Sequence, residues 1–155
     1  FRLSMLGQSF RQTPDTFRLI QGDLAEQIDQ WGYLESHEQY LKALQQTDIF
    51  VSTASHEFFG ISVVEAIAAG AMPLVPRRLA YPEVLQLAEY PERENFFYDG
   101  TASDLFAHLK HLAAEPVSRD HPDLESLRES IQRFDWAHRA SHMDKQLQLL
   151  AATTV

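Results

Sequence analysis

The chain contains no cysteine. Disulfides, thiolate metal sites and a cysteine nucleophile are therefore excluded, and a reducing compartment is favoured. Positive charge is scarce as well. Lys and Arg number 13 against 22 Asp and Glu, a net charge of −9. That balance argues against a sequence-independent grip on nucleic acid and against docking on an anionic membrane. Long apolar runs are missing. The longest, Ile61 to Val75, is interrupted by Glu65, Gly70 and Pro73, whereas a membrane helix needs about 20 apolar residues. The opening Phe1-Arg2-Leu3-Ser4 has no signal-peptide plan and no initiator Met, so the expectation is an excised fragment that starts inside a strand. There is no internal repeat and no low-complexity segment, and a length of 155 residues suits one domain with its own core.

What is present is an alternation of short apolar runs with amphipathic stretches. Arg2 to Gly7 reads as a buried strand ending in Gly7-Gln8-Ser9. Thr13 to Ile28 has helical spacing, with Gly22 as a point where it can split. Trp31 to Leu34 reads as a second strand, and Ser36 as the cap of a helix reaching about Gln46. Asp48 to Ala54 is apolar nearly throughout, as a parallel strand covered on both faces should be. Gly60 to Ala69 follows as a helix closed by Gly70, then a strand from Met72 to Val75 and a short helix from Pro82 to Ala88. Asn95 to Tyr98 is a last short strand, and Ser103 to Glu115 an amphipathic helix. Pro116 to Pro122 is a polar linker before helical residues from Asp123 to Ala152, with a break near Phe134-Asp135-Trp136. Strands alternating with helices predict an α/β, doubly wound parallel sheet of about five strands. Ligands of such sheets sit outside the carboxyl ends of the strands, so the loops after Leu6, Leu34, Ala54 and Val75 are the places to search.

One segment combines such a loop with a helix start: Ser55-His56-Glu57-Phe58-Phe59-Gly60-Ile61-Ser62-Val63-Val64-Glu65-Ala66. Free backbone N–H groups near Gly60, Ile61 and Ser62, with the helix dipole behind them, would form an anion site suited to a phosphate. Glu57 and Glu65 flank it. A carboxylate beside a phosphate is repulsive unless it has another task, such as accepting hydrogen bonds from vicinal sugar hydroxyls. An ordinary crossover with two surface glutamates explains the spacing equally well. The bulky Phe58-Phe59 in a loop, and the polar pair His56-Glu57 at a strand end, tilt the balance toward a ligand site.

Glu57 to Glu65 resembles the E-x7-E motif of retaining GT-B glycosyltransferases, notably family 4, in their carboxy-terminal Rossmann-like domain. Asp48 to Ala54 is similar to that family's preceding strand, and Glu65 to Val75 to its helix, glycine turn and next strand. Gly7 resembles the end of the domain's second strand. The likeness covers roughly Phe1 to Asp99, with the domain's first strand missing. Within the family, STASHEFFGISVVEA and PLVPRRLAYPEVL are similar to the tRNA-queuosine mannosyltransferases, with His56 to Gly60 and Leu79 to Glu83 carrying the narrower match.

The resemblance implies a nucleotide-sugar donor domain. Glu57 takes the position of the catalytic-site glutamate near the donor hexose. Gly7, His56, Phe58, Phe59, Gly60, Ile61 and Ser62 fall among the donor-binding positions, Ser62 at the phosphate-binding helix start, and Glu65 matches the ribose-binding glutamate. The base would pack near Tyr33 or Leu34. The donor would be GDP-mannose, with no further cofactor and no metal, and the acceptor queuosine in a cytoplasmic tRNA. That tRNA would be held mainly by an amino-terminal acceptor domain that is absent here, with no part for a membrane. The family's Arg and Lys on the diphosphate come from an upstream strand and loop that this chain lacks, and Arg77 and Arg78 are not substitutes for them. The fragment alone is therefore expected to be inactive. A glycan, lipid or small-molecule acceptor, or a non-catalytic nucleotide-binding module, remains open as an alternative.

The other notable residues have plainer readings. Trp31 and Trp136 are expected as core anchors, and His37, His108, His111, His121, His138 and His142 as surface residues without metal-ligand spacing. Tyr81-Pro82-Glu83 reads as a helix entry. Arg77, Arg78 and Arg93 are candidates for a local basic patch, and the apolar face of the last helix for exposure.

Overall fold

The computed structural model describes residues 1–7 and 14–153. The expected Gln8-Ser9 loop end and the helix start at Thr13 lie outside the described residues, as does the side chain of His138. The chain divides into two compact units, Phe1–Ala43 and Leu44–Val155.

In the first unit, β1 (Leu3–Leu6) pairs in parallel with β2 (Ile28–Gly32), joined by α1 (Asp15–Asp23). The second strand lies earlier than its aromatic residues predict. Ile28, Trp31 and Gly32 are half-buried while Asp29 and Gln30 are exposed, so the polar interior of this strand disguises it as the end of the preceding helix. Trp31 is half-buried and meets the edge of Phe17 at 6.4 Å between ring centres. After β2, Ser36 caps α2 (His37–Gln45) as expected, its Oγ accepting the N–H of Gln39 at 3.2 Å.

The second unit holds a parallel sheet in the order β3 (Ile49–Val51), β4 (Met72–Pro76), β5 (Phe97–Tyr98). Strand β4 is buried along its whole length, which is why it is apolar without alternation. Between β3 and β4 runs α3 (Ile61–Ala68), and after β4 comes the short α4 (Tyr81–Val84). A 3-10 turn (Pro91–Phe96) leads into β5, followed by α5 (Ala102–Ala114). Then come α6 (Pro122–Ile131), a 3-10 turn (Gln132–Phe134) and α7 (Trp136–Thr153). Val63, Ile67, Leu74, Val75, Leu85, Leu124, Leu127 and neighbours form one buried cluster.

The expected linker is present between α5 and α6 and is pinned at Arg119, which donates to the carbonyl of Thr47 at 2.8 Å while its own carbonyl accepts from Arg128 at 2.9 Å. Two expectations are corrected. Trp136 is 73% exposed and anchors no core. The helical break falls at Asp135, whose Oδ1 accepts the N–H of Ala137 at 2.8 Å and starts a new helix with Trp136 facing outward. Phe134 packs against the core in its place. The basic patch does not form either. Arg93 is 1% exposed, with its guanidinium on the carbonyls of Leu85 and Ser126 and the hydroxyls of Ser126 and Ser130. Arg77 pairs with Glu94 at 3.1 Å. The exposed apolar face of the last helix is as expected, with Met143, Leu147 and Leu150 at least half-exposed. His37, His111, His121 and His142 lie on the surface, and His108 is half-buried beside Asp104.

Candidate functional site

Because β3, β4 and β5 are parallel, their carboxyl ends share one edge of the sheet. Three hydroxyls meet under that edge. The hydroxyls of Ser52 and Tyr81 are 2.7 Å apart, and the Tyr98 hydroxyl donates to the Ser52 carbonyl at 3.0 Å. Ser52 Oγ also accepts the N–H of Ala54 at 3.3 Å, turning the chain out of β3. All three side chains are buried. Burial pushes the phenol of Tyr81 up from its ordinary pKa, with the Ser52 hydrogen bond pulling the other way. Burial raises Tyr98 likewise, so both phenols stay protonated. Arg78 reaches across from the end of β4 and donates to the Ala54 carbonyl at 3.1 Å.

Above these hydroxyls lies the loop to α3. Glu57 folds its carboxylate back so that Oε1 accepts three successive backbone N–H groups: Phe58 at 3.0 Å, Phe59 at 3.2 Å and Gly60 at 2.9 Å. Gly60 then turns into the helix at φ 89°, in the left-handed region. Its missing Cβ matters, since one would stand 3.1 Å from Tyr81 Cε1 and 3.1 Å from Val63 Cγ1. The free N–H of Gly60 expected from sequence is therefore already engaged, by the very carboxylate expected to stand beside the anion site. Successive N–H groups converging on one point form an anion-binding concavity, and here Glu57 fills it. Ile61 and Ser62, the first residues of α3, have N–H groups without an intrahelical acceptor, next to the positive end of the helix dipole.

The expected residues of this segment are thus brought together. His56, Ser62 and Ile61 are exposed around the helix start, and Glu65 is half-buried farther along α3. The two phenylalanines part company: Phe58 is 99% exposed, while Phe59 stacks edge-on against Phe134 at 4.9 Å between ring centres. Gly7, in the first unit, lines a cavity of about 340 Å³ together with Leu6, Gly32, Tyr33, Leu34, Ser36, His37 and Tyr40. Sequence reasoning missed Ser52 and Tyr98, and read Tyr81 only as a helix entry. The signal available for them was a hydroxyl in an apolar strand and an aromatic directly before Pro82.

A parallel α/β chain whose loop gathers its own Glu57 carboxylate before a helix start belongs among Rossmann-like folds. Comparison with known proteins narrows this. The glycosyl transferases group 1 profile matches residues 16–128, and the chain belongs to that family. It is 39% identical over 102 residues to a tRNA-queuosine alpha-mannosyltransferase from Drosophila melanogaster, a match covering 66% of this chain and 25% of that protein. The matched segment thus spans about a quarter of the relative's length. The fold is similar to that of a sucrose-phosphate synthase from Thermosynechococcus elongatus, with a TM-score of 0.76, 20% identity, and coverage of 96% of this chain and 38% of that one. The α/β, Rossmann-like fold of GT-B glycosyltransferases is thereby established.

Proposed function

We propose that the chain is the nucleotide-sugar-binding part of a retaining glycosyltransferase that moves mannose from GDP-mannose to queuosine in tRNA. The observation that carries the donor role is the ring of three N–H groups around the Glu57 carboxylate at the start of α3. The donor's diphosphate would take the N–H groups of Ile61 and Ser62, with the helix dipole supporting the charge that grows as the sugar–phosphate bond loosens. Glu65 would accept hydroxyls of the ribose, and Glu57 would face the hexose. His56, Phe58, Phe59 and Gly60 would complete the donor loop.

The likeness to a tRNA-queuosine enzyme supports the narrower acceptor. A net charge of −9 supports a reading in which an acceptor-binding domain outside this chain grips the tRNA. A tRNA acceptor would support a cytoplasmic setting. Among the described residues no helix is long and apolar enough to cross a membrane. No additional cofactor is assigned: the helix start, together with the upstream cations that the family resemblance implies, would hold the diphosphate.

The donor role is tested by titrating the full-length protein with GDP and with UDP. GDP should bind at least tenfold more tightly, and Glu65→Ala should abolish most of that binding. Equal, weak binding of both nucleotides, unaffected by Glu65→Ala, would remove the donor assignment.

A further inference from the structure

The loop from Ser52 to Gly60 is held at both ends by one side chain. At its start, the Tyr81 hydroxyl lies 2.7 Å from Ser52 Oγ, and that oxygen also accepts the N–H of Ala54. At its end, the Tyr81 ring packs closely on Gly60, where an added Cβ would stand 3.1 Å from Tyr81 Cε1. Gly60 in turn donates the shortest of the three bonds to Glu57, at 2.9 Å. Tyr81 is 2% exposed and heads α4 directly after the carboxyl end of β4, so helix, strand and core all fix its ring. The peptide just before it strengthens this reading. Leu79 adopts φ 62°, a left-handed conformation that a leucine rarely takes, and brings Ala80 and Tyr81 round into α4. The turn is thus built to deliver the tyrosine beneath the loop.

We propose that Tyr81 is a positioning residue of the donor site, acting through Ser52 and Gly60 to set where the Glu57 carboxylate and the loop N–H groups stand. This rests on the donor-binding reading of that loop. Tyr81 touches no reacting atom. Its hydroxyl fixes the exit from β3, and its ring edge fixes the peptide of Gly60, so loss of either end frees the whole loop. A misplacement of about 1 Å at such a site costs on the order of a hundredfold in rate, and the single hydroxyl should account for part of that.

The experiment compares wild type, Tyr81→Phe, Ser52→Ala and the double variant in the full-length protein. Two readouts are taken: amide hydrogen exchange of residues 53–60, and steady-state transfer with GDP-mannose and queuosine-containing tRNA. Tyr81→Phe keeps the ring and removes one hydroxyl. It should speed exchange across the loop by about tenfold and lower kcat by about tenfold, with KM for GDP-mannose changed less than threefold. The double variant should be no worse than the poorer single, because the two hydroxyls act as one pair. Wild-type exchange in the loop with Tyr81→Phe overturns the proposal, as does unchanged kcat alongside a lowered melting temperature, which marks a purely structural tyrosine. If Tyr81→Phe does not fold, Ser52→Ala read against the same criteria decides. Failure of wild type to use GDP-mannose would strike the functional reading alone, since the exchange measurement still judges the clamp.

Discussion

Oε1 of Glu57 accepts the N–H of Gly60 at 2.9 Å, so the concavity that should receive an anion holds a carboxylate of its own. Two neighbouring N–H groups converge on the same oxygen. The loop is thereby held folded around its own carboxylate, which on the proposed donor reading competes with the diphosphate.

This competition gives the two motif glutamates opposite signatures. Glu57→Ala frees three N–H groups and removes a negative charge, so GDP affinity of the full-length protein should rise by a few-fold while transfer falls at least a hundredfold. Glu65→Ala should weaken GDP binding. The bonds around Glu57 are largely solvent-exposed, so its removal should cost no more than about 1 kcal/mol of stability. Isothermal titration and chemical denaturation measure both effects, and loss of GDP affinity in Glu57→Ala would show that the carboxylate assists the diphosphate.

Gly60 should not tolerate a side chain. An added Cβ meets Tyr81 and Val63 at 3.1 Å each while the backbone is held at φ 89°. Gly60→Ala should destabilise the protein by about 2 kcal/mol, from strain and overpacking together, seen as a lower denaturation midpoint with an unchanged slope. Gly22→Ala, with nothing within 4 Å of its Cβ, should be stabilising or neutral by the same measurement.

The arginines should separate by burial. Arg93 is enclosed by neutral acceptors and lies 4.0 Å over the ring of Tyr90. Its charge is disfavoured there, burial lowering its pKa. Arg93→Ala strands the carbonyls of Leu85 and Ser126 and leaves a void, so a loss of about 3 kcal/mol is expected. Arg77→Ala removes only an exposed pair with Glu94 and should cost less than about 0.5 kcal/mol.

Alkaline titration should expose the buried phenols. Tyr81 and Tyr98 both have folded pKa values above the ordinary 10.0. Above pH 10.0 the unfolded chain therefore loses protons that the folded chain retains, and stability falls as pH rises. Below that pH their contribution is level. Melting temperatures should decline from about pH 10 upward, and Tyr81→Phe should make that decline shallower. An equally steep decline in the variant would mean that Tyr81 titrates normally.

Most of the strand and helix order was legible because the chain has strong local signals. The uninterrupted apolar run of β4 and the Gly60 and Gly70 bounds of α3 in the second unit, and the Ser36 cap in the first, all survive in the structure. The loop before α3 drew attention for a different reason: two glutamates and an aromatic pair stand where a short polar turn was expected. What escaped was set by distant partners. Nothing near Arg93 in sequence announces Ser126 and Ser130 as its acceptors. The break near Asp135 was expected, but nothing near Trp136 reveals that the restarted helix turns the indole outward. The direction of the Glu57 side chain was likewise a matter of backbone geometry, and helical spacing alone left its N–H ring unseen. Tyr81 shows the same limit, for its partner Ser52 lies 29 residues away.

The most direct test of the account is transfer of radiolabelled mannose by the full-length protein from GDP-mannose to tRNA, with and without queuosine. The account predicts label only on queuosine-containing tRNA, lost in Glu65→Ala and reduced at least a hundredfold in Glu57→Ala. Label on both tRNAs alike, or on neither while a glycan or lipid acceptor is mannosylated, would contradict the queuosine assignment. Transfer that survives both substitutions would contradict the site itself.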